Sequence, residues 1–354
     1  MPPPHDSSGA LPETEGDLLR PFSVRLGRLA CMLNFELVDH PVYDGGELQW
    51  FDDELHGTGM LAFLSRRDDR RVDYYQQRGL HLDRDGYEIG GGTGSWTECD
   101  FEVARLEVAE DGVSAAARFR DIDGRLIEIR VDDRDGRPRR RAGLLAPVSA
   151  GVERPTAMLL VWMPRFDLVR VTDAPPLIRI DGLDAATGRL PGRRLHRRHL
   201  VKYAAPVLTV ELNRAHEGPV SGVPTGERLE VAADGRLTAL AAEQGGHVAR
   251  LVLAPGLPSL DALPDELPQR GRWHVEVDDE RLTGGPWSAV RATAGIRLAL
   301  DVDEGWRPRR LPWLMRLVTT VVPVFRRWPT TYQWRCDVRL EGTPSMTSHW
   351  QRTV

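Results

Sequence analysis

Residues 106–131 decide the fold class, and they read LEVAEDGVSAAARFRDIDGRLIEIRV. Two Asp-Gly pairs, at 111–112 and 123–124, divide this stretch into short segments. Asp-Gly suits the positive φ angles of tight hairpin turns. After the second turn, Ile127, Ile129 and Val131 alternate with polar residues, and a period of two indicates a strand with one buried face. The stretch therefore predicts antiparallel β-hairpins.

The same pattern recurs along the chain. Further Asp-Gly pairs stand at 44–45, 85–86, 135–136, 181–182 and 234–235, and further alternating segments at 273–277 and 296–302. Many short strands with frequent turns favour antiparallel sandwiches or barrels. We therefore predict an all-β, predominantly antiparallel protein made of two packed β-barrel or sandwich halves with a few short helices. The likeness of 229–235 to 106–112 is typical either of a duplicated β domain or of two ordinary hairpins.

A length of 354 residues suits two domains of moderate size. The N-terminal residues are rich in Pro, Ser, Gly and Glu and are predicted to be disordered. Helical spacing of Leu26, Leu29 and Leu33 predicts a helix next. The predicted division is a disordered segment 1–16, a helical cover 17–35, a first β domain 36–182, a basic linker 183–198 and a second β domain 199–354.

Composition and charge narrow the class of protein. The net charge of −5 argues against a polyanion binder, so no nucleic acid partner is predicted. Three cysteines without a Cys-x-x-Cys motif argue against a disulfide framework or a zinc site, and they favour a reducing, cytoplasmic location. The sequence shows no signal peptide and no run of 18 uncharged apolar residues, so we expect no membrane span. No metal and no cofactor is predicted.

The segment 305–336 contains seven arginines and four tryptophans but no Asp or Glu. Its apolar residues from Leu311 to Trp328 recur at helical spacing. Three interpretations stay open: a cover over the β core, a segment lying on an anionic membrane surface, and a docking surface for an acidic partner or a second copy. The residues predicted to contact a membrane or partner are Trp313, Arg316, Arg326, Arg327 and Trp328.

The basic region 189–203 contains the chain's single lysine, Lys202, followed by Tyr203. A lysine that faced an apolar cavity would favour its neutral amine, which performs Schiff-base or general-base chemistry. We therefore take Lys202 and Tyr203 as candidate catalytic residues, and the alternative is a solvated basic loop leading into a strand. The candidate anion-binding residues are Arg193, Arg194, Arg197 and Arg198.

A second candidate lies in the stretch 50–56, which gathers three acids and a histidine. Asp53 and His56 would form an acid–base pair if the loop turned back on itself. The alternative is an acid-rich turn before the apolar strand at 60–64.

In size and β pattern the chain resembles tandem lipocalin-like proteins, among them carotenoid hydratases and some cyclases of natural-product pathways. The mouths of β-barrels supply apolar cavities, and ten tryptophans are available to line one. We therefore expect a hydrophobic small molecule (lipid, isoprenoid or polyketide-like) to bind in a β-barrel cavity, with cofactor-free isomerisation, cyclisation or hydration. The alternative function is a non-catalytic structural or interaction module that acts through 305–336.

Overall fold

The computed structural model describes residues 21–69, 71–84, 87, 94–148, 150, 152–190, 197–219, 227–260, 263–293, 295–306, 324, 327–353. These residues form 24 strands in three sheets, and every strand pair but one is antiparallel. The predicted all-β, predominantly antiparallel class is confirmed. Within the described ranges none of the three sheets closes into a barrel.

The first sheet is the frame of the molecule. Its strands are β1 (Val24–Leu29), β2 (Cys31–Glu36), β3 (Tyr43–Asp53), β4 (Gly57–Arg66), β5 (Val72–Gln77), β6 (Trp96–Cys99), β10 (Ala142–Ala146), β11 (Met158–Arg170), β14 (Arg198–Ala204) and β15 (Val207–Leu212). The one parallel pair is β5 with β6.

The other two sheets are built mostly from hairpins. The second sheet contains β7 (Val103–Ala109), β8 (Gly112–Arg120), β9 (Leu126–Asp132), β12 (Leu177–Ile180) and β13 (Leu183–Asp184). The third sheet contains β16 (His216–Pro219), β17 (Glu227–Val231), β18 (Leu237–Gln244), β19 (His247–Leu257), β20 (Gln269–Val277), β21 (Glu280–Ala292), β22 (Gly295–Asp301), β23 (Tyr332–Arg339) and β24 (Ser345–Arg352).

Four strands of the first sheet behave as two long ones. Val24 of β1 lies opposite Leu212 of β15, and Phe35 of β2 lies opposite Val201 of β14, in one unbroken register. Strands β14 and β15 both pair with β11 on their other side. Each long strand is therefore interrupted once, between β1 and β2 and between β14 and β15. The two halves of the sheet pack against different partner sheets.

Two cores lie on one face of this sheet. Residues of β1, β11 and β15 pack against the third sheet around the buried Trp273, Trp334 and Trp350. Residues of β2 to β5 and β14 pack against the second sheet around Phe35 and Phe119. The opposite face of the first sheet carries a separate apolar cluster, and the candidate site lies on that face.

The alternating segments fold as predicted. Ile127, Ile129 and Val131 are buried in β9, and the segments 273–277 and 296–302 lie in β20 and β22 with their apolar residues inward. Gly124 has the positive φ of a hairpin turn. The Asp-Gly pair at 44–45 is an exception, because it lies inside β3. There a Cβ on Gly45 would stand 2.6 Å from the carbonyl oxygen of Phe35, so glycine permits the close approach of β2.

The predicted helical cover at 17–35 is wrong where the structure describes it, because residues 24–36 form β1 and β2. The burial of Val24, Leu26, Leu33 and Phe35 follows a period of two on each side of Ala30. Pairing with β15, β14 and β3 satisfies the backbone of this segment. Strands β14 and β15 belong to the first sheet, so that sheet combines chain segments from both sides of the predicted linker.

Candidate functional site

One face of β3 carries polar side chains where an apolar face is expected. Glu47, Gln49, Phe51 and Asp53 share this face because side chains alternate along a strand. Glu47 is 7% exposed and Gln49 is fully buried. We call Glu47, Gln49 and Asp53 the polar stripe of β3. It lies on the face of the first sheet that points away from the second sheet, beside the apolar cluster that includes Phe51.

The polar stripe ends in a hydrogen-bonded Asp–His pair, because the loop turns back as the acid–base hypothesis required. The backbone N of His56 donates to Oδ1 of Asp53 at 2.9 Å, and Nδ1 of His56 lies 2.9 and 3.0 Å from the two carboxylate oxygens. Burial acts to raise the pKa of Asp53, but these hydrogen bonds outweigh it and hold the pKa below its usual value. A carboxylate at Nδ1 selects the tautomer in which Nε2 is free to accept a proton.

His56 of this pair lines a cavity of about 220 Å³, which we call the dyad pocket. Its apolar wall comes from Leu26, Leu29, Phe51, Leu55 and Leu159. Its polar lining comes from Arg25, Arg28, His56, Tyr87, Thr209, Glu211 and Gln244. The strands β1, β11 and β15 and the β3–β4 turn thus border one small, partly open space that His56, Tyr87 and Thr209 share with apolar side chains.

Glu47 stands at the other end of the polar stripe in an environment of neutral donors. Its carboxylate accepts hydrogen bonds from Nε2 of Gln49 at 2.6 Å and from Nδ2 of Asn34 at 3.1 Å. Gln49 in turn accepts a hydrogen bond from the hydroxyl of Tyr87. Burial raises the pKa of Glu47 to about 7, although both amides and Lys202 act to lower it. Carboxyl groups that titrate near neutrality are concentrated at functional sites.

Glu47, Gln49 and Tyr87 are not among the residues predicted from the sequence. The signal in the sequence was the alternation Glu47, Gln49, Phe51 and Asp53, which places Glu47 and Gln49 on the same strand face as Asp53. That pattern is also typical of a solvated face. Only the tertiary structure shows that Glu47 and Gln49 are buried.

Lys202 has the solvated surroundings that were the alternative to an apolar cavity. Its Nζ lies 2.5 Å from Oε1 of Glu36, and the two side chains are 34% and 48% exposed. The lysine lies opposite Asn34 in the sheet. Lys202 therefore takes part in a partly exposed ion pair and does not face an apolar cavity.

Tyr203 lies on the opposite face of β14, buried between the first and second sheets. Its hydroxyl accepts a hydrogen bond from Nη1 of Arg139 at 3.0 Å and donates to Oδ2 of Asp167 at 3.2 Å. Burial raises the pKa of Tyr203 to about 12. Tyr203 thus belongs to a network between two sheets, and the structure does not bring it to the dyad pocket.

The predicted anion-binding cluster is described in part. Arg193 and Arg194 lie outside the described residues. Arg197 is exposed, and Nη1 of Arg198 donates to the carbonyl oxygen of Arg197 at 3.2 Å. Anion binding by this cluster stays a prediction.

The Arg- and Trp-rich segment is also described only at its ends. Trp313, Arg316 and Arg326 lie outside the described residues, and Arg327 is exposed. Trp328 is 6% exposed and packs in the core against the third sheet, so it is not available for the predicted membrane or partner contact. The described part of the chain holds no helix with the length and apolar character needed to cross a membrane.

Among the described residues, His, Cys, Asp and Glu form no group of three or more that could hold a metal ion. Cys31, Cys99 and Cys336 are all free thiols, and burial raises the pKa of each to about 12.

No known protein family, curated protein or solved structure matches this chain. A function must therefore be argued from the geometry. That geometry is an Asp–His pair whose histidine lines a small, partly apolar cavity in an all-β frame.

Proposed function

We propose that this protein binds a compact, partly apolar small molecule in the dyad pocket and moves a proton to or from it through His56. The observation that carries the proposal is that His56, which is hydrogen-bonded to Asp53, lines the pocket. Nε2 of a neutral imidazole is a general base, and the Asp53 carboxylate stabilises the imidazolium that forms. Isomerisation, hydration and cyclisation without a cofactor all need such a transfer.

The size of the pocket narrows the class of ligand. A cavity of about 220 Å³ is smaller than the ~300–1,000 Å³ of pockets that enclose drug-sized ligands. This favours a ligand about the size of one ring over an enclosed lipid, isoprenoid or polyketide. Phe51 and Leu159 would contact the ring, and Thr209 and Glu211 would orient its polar groups.

We extend the proposal to the architecture, in which the first sheet would be one half of a lipocalin-like pair. Support comes from its two long interrupted strands, β1–β2 and β14–β15, which let a single sheet serve two partner sheets.

Ligand binding is tested by native mass spectrometry of the protein purified from its own host. We expect the wild type to retain a ligand and the Thr209→Trp variant to lose it. Thr209 lines the pocket, so an indole at this position should take up the space of the ligand, and tryptophan suits a strand. Thr347→Trp, at an exposed position of β24, is the control and should retain the ligand. A bare polypeptide mass in the wild type would contradict ligand binding.

Proton transfer is tested on the ligand extracted from the wild type. In D₂O the wild type should incorporate deuterium into this ligand, whereas His56→Gln should be slower by about 10²- to 10⁴-fold, the usual contribution of a general base. Asp53→Asn should be impaired as well, because the imidazole loses its orienting carboxylate. Equal incorporation by His56→Gln and the wild type would exclude His56 as the base.

A second candidate function is an interaction module on an anionic membrane surface, acting through 305–336. It is supported by the absence of acidic residues from this segment and by the exposed Arg327. Co-sedimentation with vesicles containing phosphatidylserine tests it. Replacing Arg316, Arg326 and Arg327 with Glu should abolish binding, because like charges repel the surface.

A further inference from the structure

Tyr87 belongs both to the dyad pocket and to the polar stripe of β3. It lines the cavity together with His56, and its hydroxyl donates to Oε1 of Gln49. Nε2 of Gln49 donates to Oε1 of Glu47. A wall of the pocket is thereby connected through one buried amide to a buried carboxyl group.

The amide of Gln49 transmits the state of Glu47 because it has one donating and one accepting end. When Glu47 is ionised it must receive the NH₂ end, so the oxygen of Gln49 faces Tyr87 and holds the phenolic proton. When Glu47 is protonated, its hydroxyl can donate to Gln49 Oε1 after the amide turns over. The NH₂ end then donates to the oxygen of Tyr87, and the phenolic proton is released toward the pocket.

We propose that Tyr87 is the hydrogen-bond donor to a ligand carbonyl oxygen in the dyad pocket, and that Glu47, acting through Gln49, is the positioning residue that controls this donor. The inference rests on the proposed function, and it names the substrate class as a compact carbonyl compound with an acidic C–H bond. Nε2 of His56 takes the proton from that carbon, and the electron pair moves onto the carbonyl oxygen. Tyr87 donates a hydrogen bond to the resulting enolate oxygen.

The catalytic cycle is then completed without any co-reactant. The imidazolium of His56 returns its proton to a carbon atom of the enolate, either the original one or one further along a conjugated system. The second case is an isomerisation, and the enzyme ends in its starting state.

The groups around Glu47 include few charges that would keep its carboxyl group ionised. Its neighbour on β2 is the neutral Asn34, and its neighbour on β4 is Phe63. Lys202 on β14 is the cation that acts on it, and Lys202 is already paired with Glu36 on β2.

The loop residue Tyr87 is linked to Glu47 through Gln49. Burial raises the pKa of Tyr87 well above its usual value. Along the same strand the next ionisable group of the stripe is Asp53, which is paired with His56. No cation contacts Glu47 among the hydrogen bonds and ion pairs of the described residues. The donor state of Tyr87 is therefore expected on the acidic side of neutrality.

The coupling is tested by NMR on the full-length protein without any ligand, following the Gln49 side-chain amide and the Tyr87 ring from about pH 5 to about pH 9. In the wild type both signals should shift with one midpoint near the pKa of about 7 of Glu47. In Glu47→Gln both should be flat, and in Glu98→Gln, an exposed glutamate of β6, both should titrate as in the wild type. Signals that do not move in the wild type, or that move equally in Glu47→Gln, overturn the coupling.

The substrate class is tested with 2-cyclohexenone as the probe, measured as hydrogen–deuterium exchange in D₂O. Wild type should exceed buffer, and Tyr87→Phe should lose about 100-fold or more, as when an oxyanion donor is removed. Exchange that disappears in His56→Gln but is unchanged in Tyr87→Phe overturns this inference and leaves the proposed function standing. No exchange above buffer overturns the carbonyl assignment, while a ligand retained in native mass spectrometry still supports binding.

Discussion

Oδ1 of Asp53 lies 2.9 Å from both the backbone N and the Nδ1 of His56. One carboxylate therefore closes the turn between β3 and β4 and orients the imidazole at the same time. The preceding residue, Asp52, points to the other side of the strand and pairs with Arg28 at 2.6 Å.

These two neighbouring aspartates should differ in their contribution to stability. Asp53→Ala removes hydrogen bonds to a part-buried carboxylate and should lower the free energy of unfolding by about 1–3 kcal/mol. Asp52→Ala removes an ion pair in which Asp52 is 43% exposed, and such pairs contribute about 0–1 kcal/mol. Urea unfolding of both variants measures the difference. Equal losses would show that Asp53 does not hold the turn.

Glu47→Gln should change how stability depends on pH. The folded protein keeps the Glu47 proton up to about pH 7, whereas the unfolded chain releases it near the ordinary value of 4.5. The folded state binds more protons between these values, so the free energy of unfolding falls as pH rises through them, by roughly 3 kcal/mol in total.

Urea unfolding across this pH range measures the effect. Glu47→Gln should lack this loss and gain stability relative to the wild type as pH rises, while Glu98→Gln should follow the wild type. Parallel curves for Glu47→Gln and the wild type would contradict a raised pKa of Glu47.

The buried ion pair between Arg139 and Asp133 should be a major support of the contact between the first two sheets. Both side chains are 1% exposed, and Arg139 also donates to the hydroxyl of Tyr203. Arg139→Met leaves a buried carboxyl without its partner and should cost about 3–5 kcal/mol. Arg228→Met breaks an exposed pair with Glu243 and should cost at most about 1 kcal/mol. Thermal unfolding of both variants tests this, and a mild Arg139→Met would contradict it.

Tyr203→Phe tests whether Tyr203 is structural or catalytic. The variant loses two hydrogen bonds, to Arg139 and Asp167, and should be destabilised by about 1–3 kcal/mol. Its rate of deuterium incorporation into the extracted ligand should stay at the wild-type level, because Tyr203 does not line the dyad pocket. A loss of that rate in a folded variant would restore a catalytic role for Tyr203.

The thiols should resist alkylation in the folded protein. Burial raises the pKa of Cys31 and Cys336 to about 12, so at pH 8 only about one molecule in 10⁴ carries the reactive thiolate. Iodoacetamide should modify neither residue before unfolding and all three cysteines in urea, as counted by mass. Rapid modification of native Cys31 would contradict its burial.

Much of the fold could be predicted because strand signals are local. Ile127, Ile129 and Val131 alternate with polar residues, and they are buried as that pattern requires. Residues 24–36 could not be assigned in the same way, because their apolar positions fit a helix and a strand alike. These residues form strands because they pair with β15, β14 and β3. The sequence alone does not show these pairings.

The candidate site shows the same difference between local contacts and contacts that are distant in sequence. The Asp53–His56 contact spans three residues, so the sequence could suggest it. For Lys202 the sequence left an apolar cavity and a solvated setting both open, because it does not show that Glu36 lies 2.5 Å away.

By itself the sequence determined the β class and hairpin turns such as the one at Gly124, and it offered the Asp–His pair as a candidate, because these depend on residues close together along the chain. The tertiary structure alone decided that Glu47 and Gln49 are buried and that Tyr87 joins them to the dyad pocket. The physical reason is that alternation defines two faces of a strand but not which face is covered. Burial, and with it the raised pKa of Glu47, comes from parts of the chain that only folding brings together.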